Sequence, residues 1–212
     1  MSLLARRRAL LSAKGKVLPY AYQQVEYLEK QANYTQYIDA GIYTSEKNTF
    51  EIKAQLLNLD TASQSLYGGR RSNVNGEHQG NQISFVKSYE LVQVCCGDMS
   101  NANVAYDNYI HTYYATNSGF YRDNAWIGNR SGEIITAKNT VFIFATNTNG
   151  IVGFSGGSLR LYYAKIWNDN TLVRDFIPCY RKADNEAGLY DLVNGKFYTN
   201  KGTGEFILGG EV

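Results

Sequence analysis

Polar and charged side chains that could bind a ligand are concentrated in one short stretch, GGRRSNVNGEHQGN at residues 68–81. Its density of Gly, Asn and Ser predicts a loop between two strands. Sugar recognition uses planar polar groups beside an aromatic ring, because a pyranose has an apolar face that stacks and hydroxyl groups that need partners. The alternative is a solvated loop, with Trp126 and Trp167 buried in the core. The candidate ligand-binding residues are Arg70, Arg71, Asn73, His78, Tyr89 and Trp126.

Residues suited to catalysis are sparse. Glycoside hydrolysis needs two positioned carboxylates, but no Glu-x-Asp-x-x-Glu pattern occurs, and Glu26 and Glu29 would face opposite sides of a regular strand. His111 lies beside Tyr113 and Tyr114, which favours a packed, hydrogen-bonded role over a catalytic one. No phosphate loop, nucleophile elbow or dinucleotide fingerprint is present. The sequence therefore predicts no catalytic residue, no cofactor and no enzymatic activity.

The cysteines and aspartates do not form a metal-binding pattern. Cys95 and Cys96 are adjacent, so on a strand they point to opposite faces and cannot share one small metal site without distortion. Cys179 brings the count to three, which is a poor disulfide framework, and we expect three reduced, buried thiols. The aspartates are scattered singly, whereas calcium binding needs several converging oxygens. The sequence supports no metal site, and it leaves open whether a structural calcium is bound.

The first sixteen residues differ from the rest of the chain in charge. They carry five of the 21 basic side chains and none of the 19 acidic ones. The remainder is slightly acidic, so nucleic-acid binding by the folded body is not expected. Leucines recur about once per helical turn around an arginine triplet, which predicts a short amphipathic helix ending near Gly15. Residues 1–17 are expected to be either an anchor or oligomerisation segment or a loose terminus. The candidate anchor residues are Leu3, Leu4, Arg6, Arg7, Arg8, Leu10 and Leu11.

Targeting signals are not evident in the sequence. In MSLLARRRALLSAKGK the charges interrupt the apolar residues, so the segment does not match a secretory signal. No run is long and apolar enough to predict a membrane span. We therefore expect synthesis and assembly in a cytoplasm, without membrane insertion.

The rest of the chain is typical of short strands. Residues 50–57 alternate apolar and polar side chains, which predicts a strand with one buried and one wet face. Residues 141–146 are apolar on both faces, as in a central strand. No sustained helical periodicity follows residue 17. Residues 18–212 are therefore predicted to form one all-β domain, an antiparallel sandwich or barrel.

The strongest turn signal lies near the C-terminal end of the chain. Asn194-Gly195 separates GLYDLV from KFYTN, and Asn-Gly between two β-prone runs predicts a hairpin because both central residues need positive φ. The predicted register places Val193 opposite Lys196. This pairing gives the hairpin one apolar and one polar face.

Three stretches carry a resemblance to a known family. They are LPYAYQQVEYLEKQANYTQYIDAGI at 18–42, HTYYATNSGFYRDNAWIG at 111–128 and LVRDFIPCYRKADNEAGLYDLVNGKFYTNKGTGEF at 172–206. They resemble the concanavalin A-like (laminin G-like) jelly-roll domains of bacteriophage and prophage tail or fibre proteins. In that family a strand carrying His leads through a turn to a second strand that ends near an Asp-Gly. This chain has Asp123-Asn124 there, and Asn tolerates left-handed φ better than most residues. The resemblance covers residues 17–209 and implies an antiparallel jelly-roll β-sandwich.

The same resemblance implies a function at the surface of a virus particle. It implies a non-enzymatic phage structural protein (fibre, tail or capsid-attached), assembled in the host cytoplasm and homo-oligomeric. Its domain would contact host-surface glycans or neighbouring virion proteins, and its N-terminal arm would bind other virion proteins. The alternatives are a free, lectin-like carbohydrate-binding module and a glycoside hydrolase, since this fold also hosts enzymes.

Overall fold

Alternation of apolar and polar residues produces strands along most of the chain. The structure is a computed structural model that describes residues 17–59, 63–72, 78–130 and 139–212. The candidate anchor residues lie outside these ranges, and one turn of 3-10 helix, Lys87–Tyr89, lies within them. The strands of the described residues are β1 (Tyr22–Gln24), β2 (Leu28–Lys30), β3 (Ile38–Tyr43), β4 (Asn48–Asn58), β5 (Gln64–Ser72), β6 (His78–Val86), β7 (Leu91–Ala105), β8 (Ile110–Thr116), β9 (Gly119–Arg122), β10 (Ala125–Gly128), β11 (Thr140–Ile143), β12 (Thr146–Thr148), β13 (Ile151–Gly153), β14 (Ser158–Asn168), β15 (Thr171–Arg181), β16 (Glu186–Asp191), β17 (Lys196–Thr199) and β18 (Ile207–Leu208).

The strands form two sheets. The large sheet has eleven strands in the order β10-β9-β8-β4-β14-β15-β16-β17, with β2 paired to β14, β18 to β2 and β1 to β15. The small sheet has seven strands in the order β13-β12-β5-β11-β3, with β6 paired to β5 and β7 to β6. The described pairs are antiparallel except for β12, which runs parallel to β5. The predicted all-β, antiparallel fold is confirmed at this level.

The hydrophobic core lies between the two sheets. On β4 the apolar side chains Phe50 and Ile52 are at most 2% exposed, while Glu51 between them faces away, which confirms the predicted alternation. Phe50 stacks on Tyr67 of β5 with ring centroids 4.1 Å apart, and Phe85 of β6 meets Tyr113 of β8 edge-on at 5.7 Å. Burying such a side chain stabilises the fold by roughly 1.5–3 kcal/mol. The two layers therefore pack face to face as a β-sandwich.

Residues 68–72 and 78–81 lie in strands and not in the loop that the sequence predicts over residues 68–81. β5 and β6 continue into this stretch as paired strands, with Arg70 opposite Gly80. Glycine is needed here for close approach of the two backbones, because a Cβ on Gly80 would lie 2.3 Å from the carbonyl oxygen of Gly69. Gly68, Gly69 and Gly80 are instead part of closely packed, paired strands.

The apolar run at residues 141–146 is central, as predicted, but it is not one strand. β11 lies between β3 and β5, and the strand then breaks at Phe144, which has a φ of 72°. The Phe144 N–H donates to the Leu66 carbonyl at 3.0 Å. After this break the chain continues as β12, which runs parallel to β5, whereas β11 runs antiparallel to it.

The hairpin predicted at Asn194-Gly195 is present, but its register differs from the prediction. Lys196 lies opposite Asp191 and not opposite Val193. The Asp191 carboxylate accepts the N–H of Val193 at 2.9 Å, and its carbonyl accepts the N–H of Gly195 at 2.9 Å, so the chain leaves the strand earlier. Because the register shifts by an even number of residues, the same side chains still share a face. The face predicted to be polar is nevertheless the inner one, since Asp191 is 0% exposed and Tyr198 packs against the core.

The cysteines are free and buried, as the sequence predicts. Burial raises the pKa of Cys96 to about 11 and that of Cys179 to about 12. Both thiols are therefore protonated at neutral pH and pack as small apolar groups.

Candidate functional site

The outer face of the large sheet carries a row of side chains from six neighbouring strands. On each strand the row residue is next in sequence to at least one core residue, so it points away from the core. Tyr114, for example, lies between Tyr113 and Ala115, which are each 3% exposed. In cross-strand register the row consists of Trp126 on β10, Tyr121 on β9, Tyr114 on β8, Glu51 on β4, Lys165 on β14 and Asp175 on β15.

Half of this row is aromatic. We call Trp126, Tyr121 and Tyr114 the aromatic row. Neighbouring strands lie about 4.8 Å apart, so the aromatic row extends roughly 10 Å across the sheet. Trp126 is 49% exposed, which makes its predicted alternative role in the core wrong, and the two tyrosines are half-buried. The rings thus have both a rigid base and a surface on which a ligand can stack.

The other half of the row is charged. We call Glu51, Lys165 and Asp175 the polar end. Glu51 accepts a hydrogen bond from the Tyr163 hydroxyl at 3.0 Å, and a carboxylate with about four lone-pair positions keeps capacity for further donors. Burial raises the pKa of Asp175, Lys165 opposes this effect, and the nearby Asp191 and Glu51 add to it. The polar end therefore offers two acceptors and one donor beside the aromatic row.

A β-bulge in β14 places two consecutive tyrosines on this face. The pairing of β14 with β4 shifts between Leu161 and Tyr163, and such a shift interrupts the usual alternation of side chains. Tyr162 donates its hydroxyl to Gln55 Oε1 at 3.2 Å, just as Tyr163 donates to Glu51. Burial raises the pKa of Tyr163, so its hydroxyl remains a donor at neutral pH. Both tyrosines hold outward-facing polar groups of β4 in place.

A tight turn joins the two strands that carry Tyr121 and Trp126. Its residues Asp123 and Asn124 have φ values of 50° and 72°, and the left-handed conformation of Asn124 is the one that the sequence analysis expected Asn to tolerate. Asp123 Oδ1 accepts the Thr112 N–H at 2.8 Å. The turn is therefore tied back to β8.

His111 holds the same turn through its imidazole ring. Nδ1 contacts Asp123 Oδ2, and Nε2 lies 2.7 Å from Asp107 Oδ1. Arg122 Nη1 lies 3.2 Å from the other oxygen of Asp107. Burial by itself would raise the pKa of Asp107. Hydrogen bonds from the Tyr109 N–H and from His111, together with the charge of Arg122, outweigh the effect of burial, so the pKa of Asp107 is lowered. The predicted packed, hydrogen-bonded role of His111 is confirmed.

The residues predicted to bind a ligand do not come together. Arg70 is 7% exposed, donates Nε to the Thr148 hydroxyl at 2.9 Å and lies over the Phe154 ring at 4.8 Å, so it serves the packing of the small sheet. Arg71 is exposed on the same strand. Tyr89 lies beyond the other end of β6, roughly 20 Å away along the strand.

The other predicted residues have different outcomes. Asn73 and the side chain of His78 lie outside what the structure describes. Of the predicted residues that are described, Trp126 alone lies on the outer face of the large sheet. The prediction therefore identified the most exposed ring of the aromatic row and missed its neighbours.

The missed residues had a local signal but no long-range one. Alternation along residues 50–57 indicates that Glu51 faces away from the core. It does not indicate which strands are neighbours, so it cannot place them side by side. The row residues that sequence reasoning missed are Tyr121, Tyr114, Glu51, Lys165 and Asp175.

Comparisons with protein-family models, with curated proteins and with solved structures find no match for this chain. Within the described ranges, no group of three His, Cys, Asp or Glu side chains is placed to hold a metal ion. Over those same residues, no helix has the length and apolar character needed to cross a membrane. A functional assignment must therefore start from the chemistry of the outer face.

Proposed function

We propose that this chain is a non-enzymatic structural protein of a bacteriophage particle, carried on a fibre, the tail or the capsid, whose jelly-roll domain binds glycans on the host surface. The observation that carries glycan binding is the aromatic row lying in register with the polar end. The two-layer β architecture supports a jelly roll without distinguishing it from other sandwiches. The virion assignment is supported by the sequence resemblance to phage tail and fibre domains.

A sugar chain suits the outer face in shape and chemistry. The apolar face of a sugar ring can stack on Trp126 and Tyr121, while hydroxyl groups can donate to Glu51 and Asp175. The row runs perpendicular to the strands over several strand spacings. The ligand is therefore an extended oligosaccharide lying across the strands.

The charges of the polar end favour a neutral glycan. Glu51 and Asp175 supply two carboxylates against the single ammonium group of Lys165. A uronic acid or sulfated sugar placed there would face net repulsion, because like charges within a few ångströms disfavour each other. Neutral hexoses avoid this cost and still satisfy the acceptors.

We expect the purified full-length protein to bind neutral polysaccharides saturably on a glycan array, with affinity that changes little between low and high salt. Stacking and hydroxyl contacts are much less sensitive to screening than ion pairs are. Sulfated and uronic-acid polymers on the same array are the matched comparison. A blank array from a folded protein would contradict glycan binding, and binding restricted to anionic polymers would contradict the assignment to neutral sugars.

The N-terminal segment is the part proposed to attach the domain to the particle. Its concentration of positive charge makes it suited to acidic surfaces of other virion proteins or of further copies of this chain. Deleting residues 1–16 in the phage that encodes the protein should abolish its incorporation into particles. The deleted protein should keep the parental melting temperature, because the sandwich core lies in later residues. Mass spectrometry of purified particles measures incorporation, and a normal level would contradict the attachment role.

Glycoside hydrolysis is the second candidate, and one observation favours it. Glu51 and Asp175 lie two strands apart, so their Cα atoms are separated by roughly 10 Å. Burial raises the pKa of Asp175, and inverting glycosidases pair a carboxyl group of raised pKa with a second one at roughly 6.5–9.5 Å. Lys165 lies between the two carboxylates, where an inverting enzyme leaves room for water, so binding is favoured. The test is an assay for reducing sugar released from the polysaccharides that the protein binds. Release that is abolished by Asp175→Asn would show that the function is hydrolysis and not binding alone.

A further inference from the structure

We infer that the polar end of the row recognises an N-acetyl group, so that the glycans bound by the outer face contain N-acetylhexosamine units. Lys165 and Asp175 bind the amide of that group, and Tyr163 and Ile177 contact its methyl group. The inference rests on the proposed glycan-binding function and names the class of sugar that the face prefers. It makes Lys165 a residue that determines specificity.

Lys165 and Asp175 form a complementary pair whose charges are not joined. They lie opposite each other on β14 and β15, and both are half-buried. Burial raises the pKa of Asp175 and the charge of Lys165 opposes that effect, so the two groups are close enough to interact. Within the described part of the chain, however, the Lys165 ammonium group and the Asp175 carboxylate make no ion pair and no hydrogen bond. A donor and an acceptor therefore remain available side by side.

The ring of Tyr163 holds Lys165 in place. Lys165 Nζ lies 5.8 Å from the centroid of this ring, within the range of a cation–π contact. The hydroxyl of the same ring donates to Glu51 at 3.0 Å, which fixes the ring on the face. The ammonium group carries three N–H donors, so it can offer one to a ligand from a defined position.

An apolar surface lies next to this pair. Tyr163 and Ile177 are each two residues along the strand from Lys165 and Asp175, so they point to the same face. The residue between Asp175 and Ile177 is Phe176, which is 0% exposed in the core. Tyr163 and Ile177 are both half-buried, so part of each remains accessible. Polar and apolar contacts are thus separated by about 7 Å along the strands.

An acetamido group matches this arrangement. The amide is planar and trans, so its N–H and C=O point in opposite directions. When the group lies between β14 and β15, its N–H donates to Asp175 and its carbonyl accepts from Lys165. Its long axis then follows the strands, with the methyl group directed at Tyr163 and Ile177 and the sugar ring at the other end. Glu51 remains available to a sugar hydroxyl.

Other substituents at the same carbon of the sugar make fewer of these contacts. A hydroxyl group has one oxygen to serve both charges and no apolar part to cover Tyr163 and Ile177. A carboxylate has no donor for Asp175 and would be repelled by it. The polar and apolar contacts together therefore favour the acetamido group.

The test compares the binding of the full-length protein to chitohexaose and to cellohexaose by titration calorimetry. The two hexasaccharides share their linkage and differ at one carbon of each unit, which carries an acetamido group in chitohexaose and a hydroxyl group in cellohexaose. We expect chitohexaose to bind at least about tenfold more tightly, as one further hydrogen bond and one buried methyl group would give.

Lys165→Met tests the residue that is assigned to the carbonyl. Methionine keeps the apolar stem but has no N–H donor. The affinity for chitohexaose should fall about tenfold, to that for cellohexaose, and the affinity for cellohexaose should change by less than about twofold. Lys182→Met is the matched control, because Lys182 also lies over a tyrosine ring, that of Tyr20 at 4.3 Å, but follows the end of β15. This control should keep both affinities.

Two results would overturn the inference. One is equal affinity of the unsubstituted protein for the two hexasaccharides, and the other is a preference for chitohexaose that persists in the Lys165→Met variant. Should Lys165→Met fail to fold by circular dichroism, Ile177→Ala takes its place. The preference for chitohexaose should then fall about threefold, because part of the surface for the methyl group is lost.

The glycan array separates this inference from the proposed function. If the array shows binding only to neutral glycans without N-acetylhexosamine, glycan binding stands and the preference for the N-acetyl group is wrong. If the folded protein binds no glycan on the array and neither hexasaccharide, glycan binding and the preference are both wrong. Binding of chitohexaose by the unsubstituted protein and its loss in Lys165→Met support both.

Discussion

Alanine in place of Trp126 is expected to weaken glycan binding about 30-fold, which corresponds to about 2 kcal/mol for an aromatic anchor at a binding surface. Trp126 is 49% exposed on the last strand of the large sheet, so its ring lies where a ligand can stack. Removing the ring takes away ligand contact and little of the core. Titration calorimetry with the strongest array ligand measures the loss, and the melting temperature should fall by only a few degrees.

Tyr89→Ala is the matched control for Trp126→Ala. Tyr89 is also an exposed aromatic residue, at 57%, but it lies on the connection between β6 and β7 and away from the row. Its variant should keep the parental affinity, whereas Tyr121→Ala and Tyr114→Ala should show intermediate losses. A loss of binding in Tyr89→Ala together with normal binding in Trp126→Ala would place the site at the β6–β7 connection instead.

Alanine in place of Asp191 is expected to lower the free energy of unfolding by about 3–5 kcal/mol, as removal of one member of a buried ion pair does. Asp191 is 0% exposed. Its Oδ1 accepts the N–H groups of Asp175 and Val193 at 2.9 Å each, and its Oδ2 lies 3.5 Å from Arg174 Nε. The variant leaves two N–H groups without their acceptor and a largely buried guanidinium without its counter-charge.

Urea unfolding followed by circular dichroism measures this loss, and the melting temperature should fall by about 10 °C for a chain of this size. The matched control is Asp184→Ala, because Asp184 pairs with Arg181 at 2.6 Å in an exposed position, where ion pairs contribute little. Asp191→Asn keeps the shape and should lose less than Asp191→Ala. Equal stability of the Asp191→Ala and Asp184→Ala variants would show that burial of the Asp191–Arg174 pair has no energetic consequence.

Local patterns in the sequence determined much of this fold. Alternation from Phe50 onward predicted both the strand β4 and the face that it buries, because a side-chain period of two is a property of the strand itself. At the turn of Asp123 and Asn124 the sequence indicated only that Asn124 tolerates positive φ, which agrees with its φ of 72°. The burial of the three cysteines also agrees with the prediction.

The glycine-rich pattern was misread because glycine can indicate either a turn or close packing of two strands. Gly68, Gly69 and Gly80 suggest a turn-rich loop, but they lie in paired strands whose backbones and neighbours leave no room for a Cβ. A sequence cannot distinguish a glycine needed for a turn from one needed for close packing, because the second need arises only when the partner strand is in place. Arg70 was therefore predicted as a surface ligand-binding residue, whereas the fold buries it.

The row on the outer face depended on tertiary structure alone. Its charged and aromatic residues come from strands that are distant in the sequence, such as β4 and β15, and they become neighbours only through the strand order of the large sheet. The sequence by itself determined that Glu51 faces outward on its strand. Which residues of the row lie side by side was decided by long-range pairing, because strand order and register depend on packing across the whole sheet and not on the residues of any one strand.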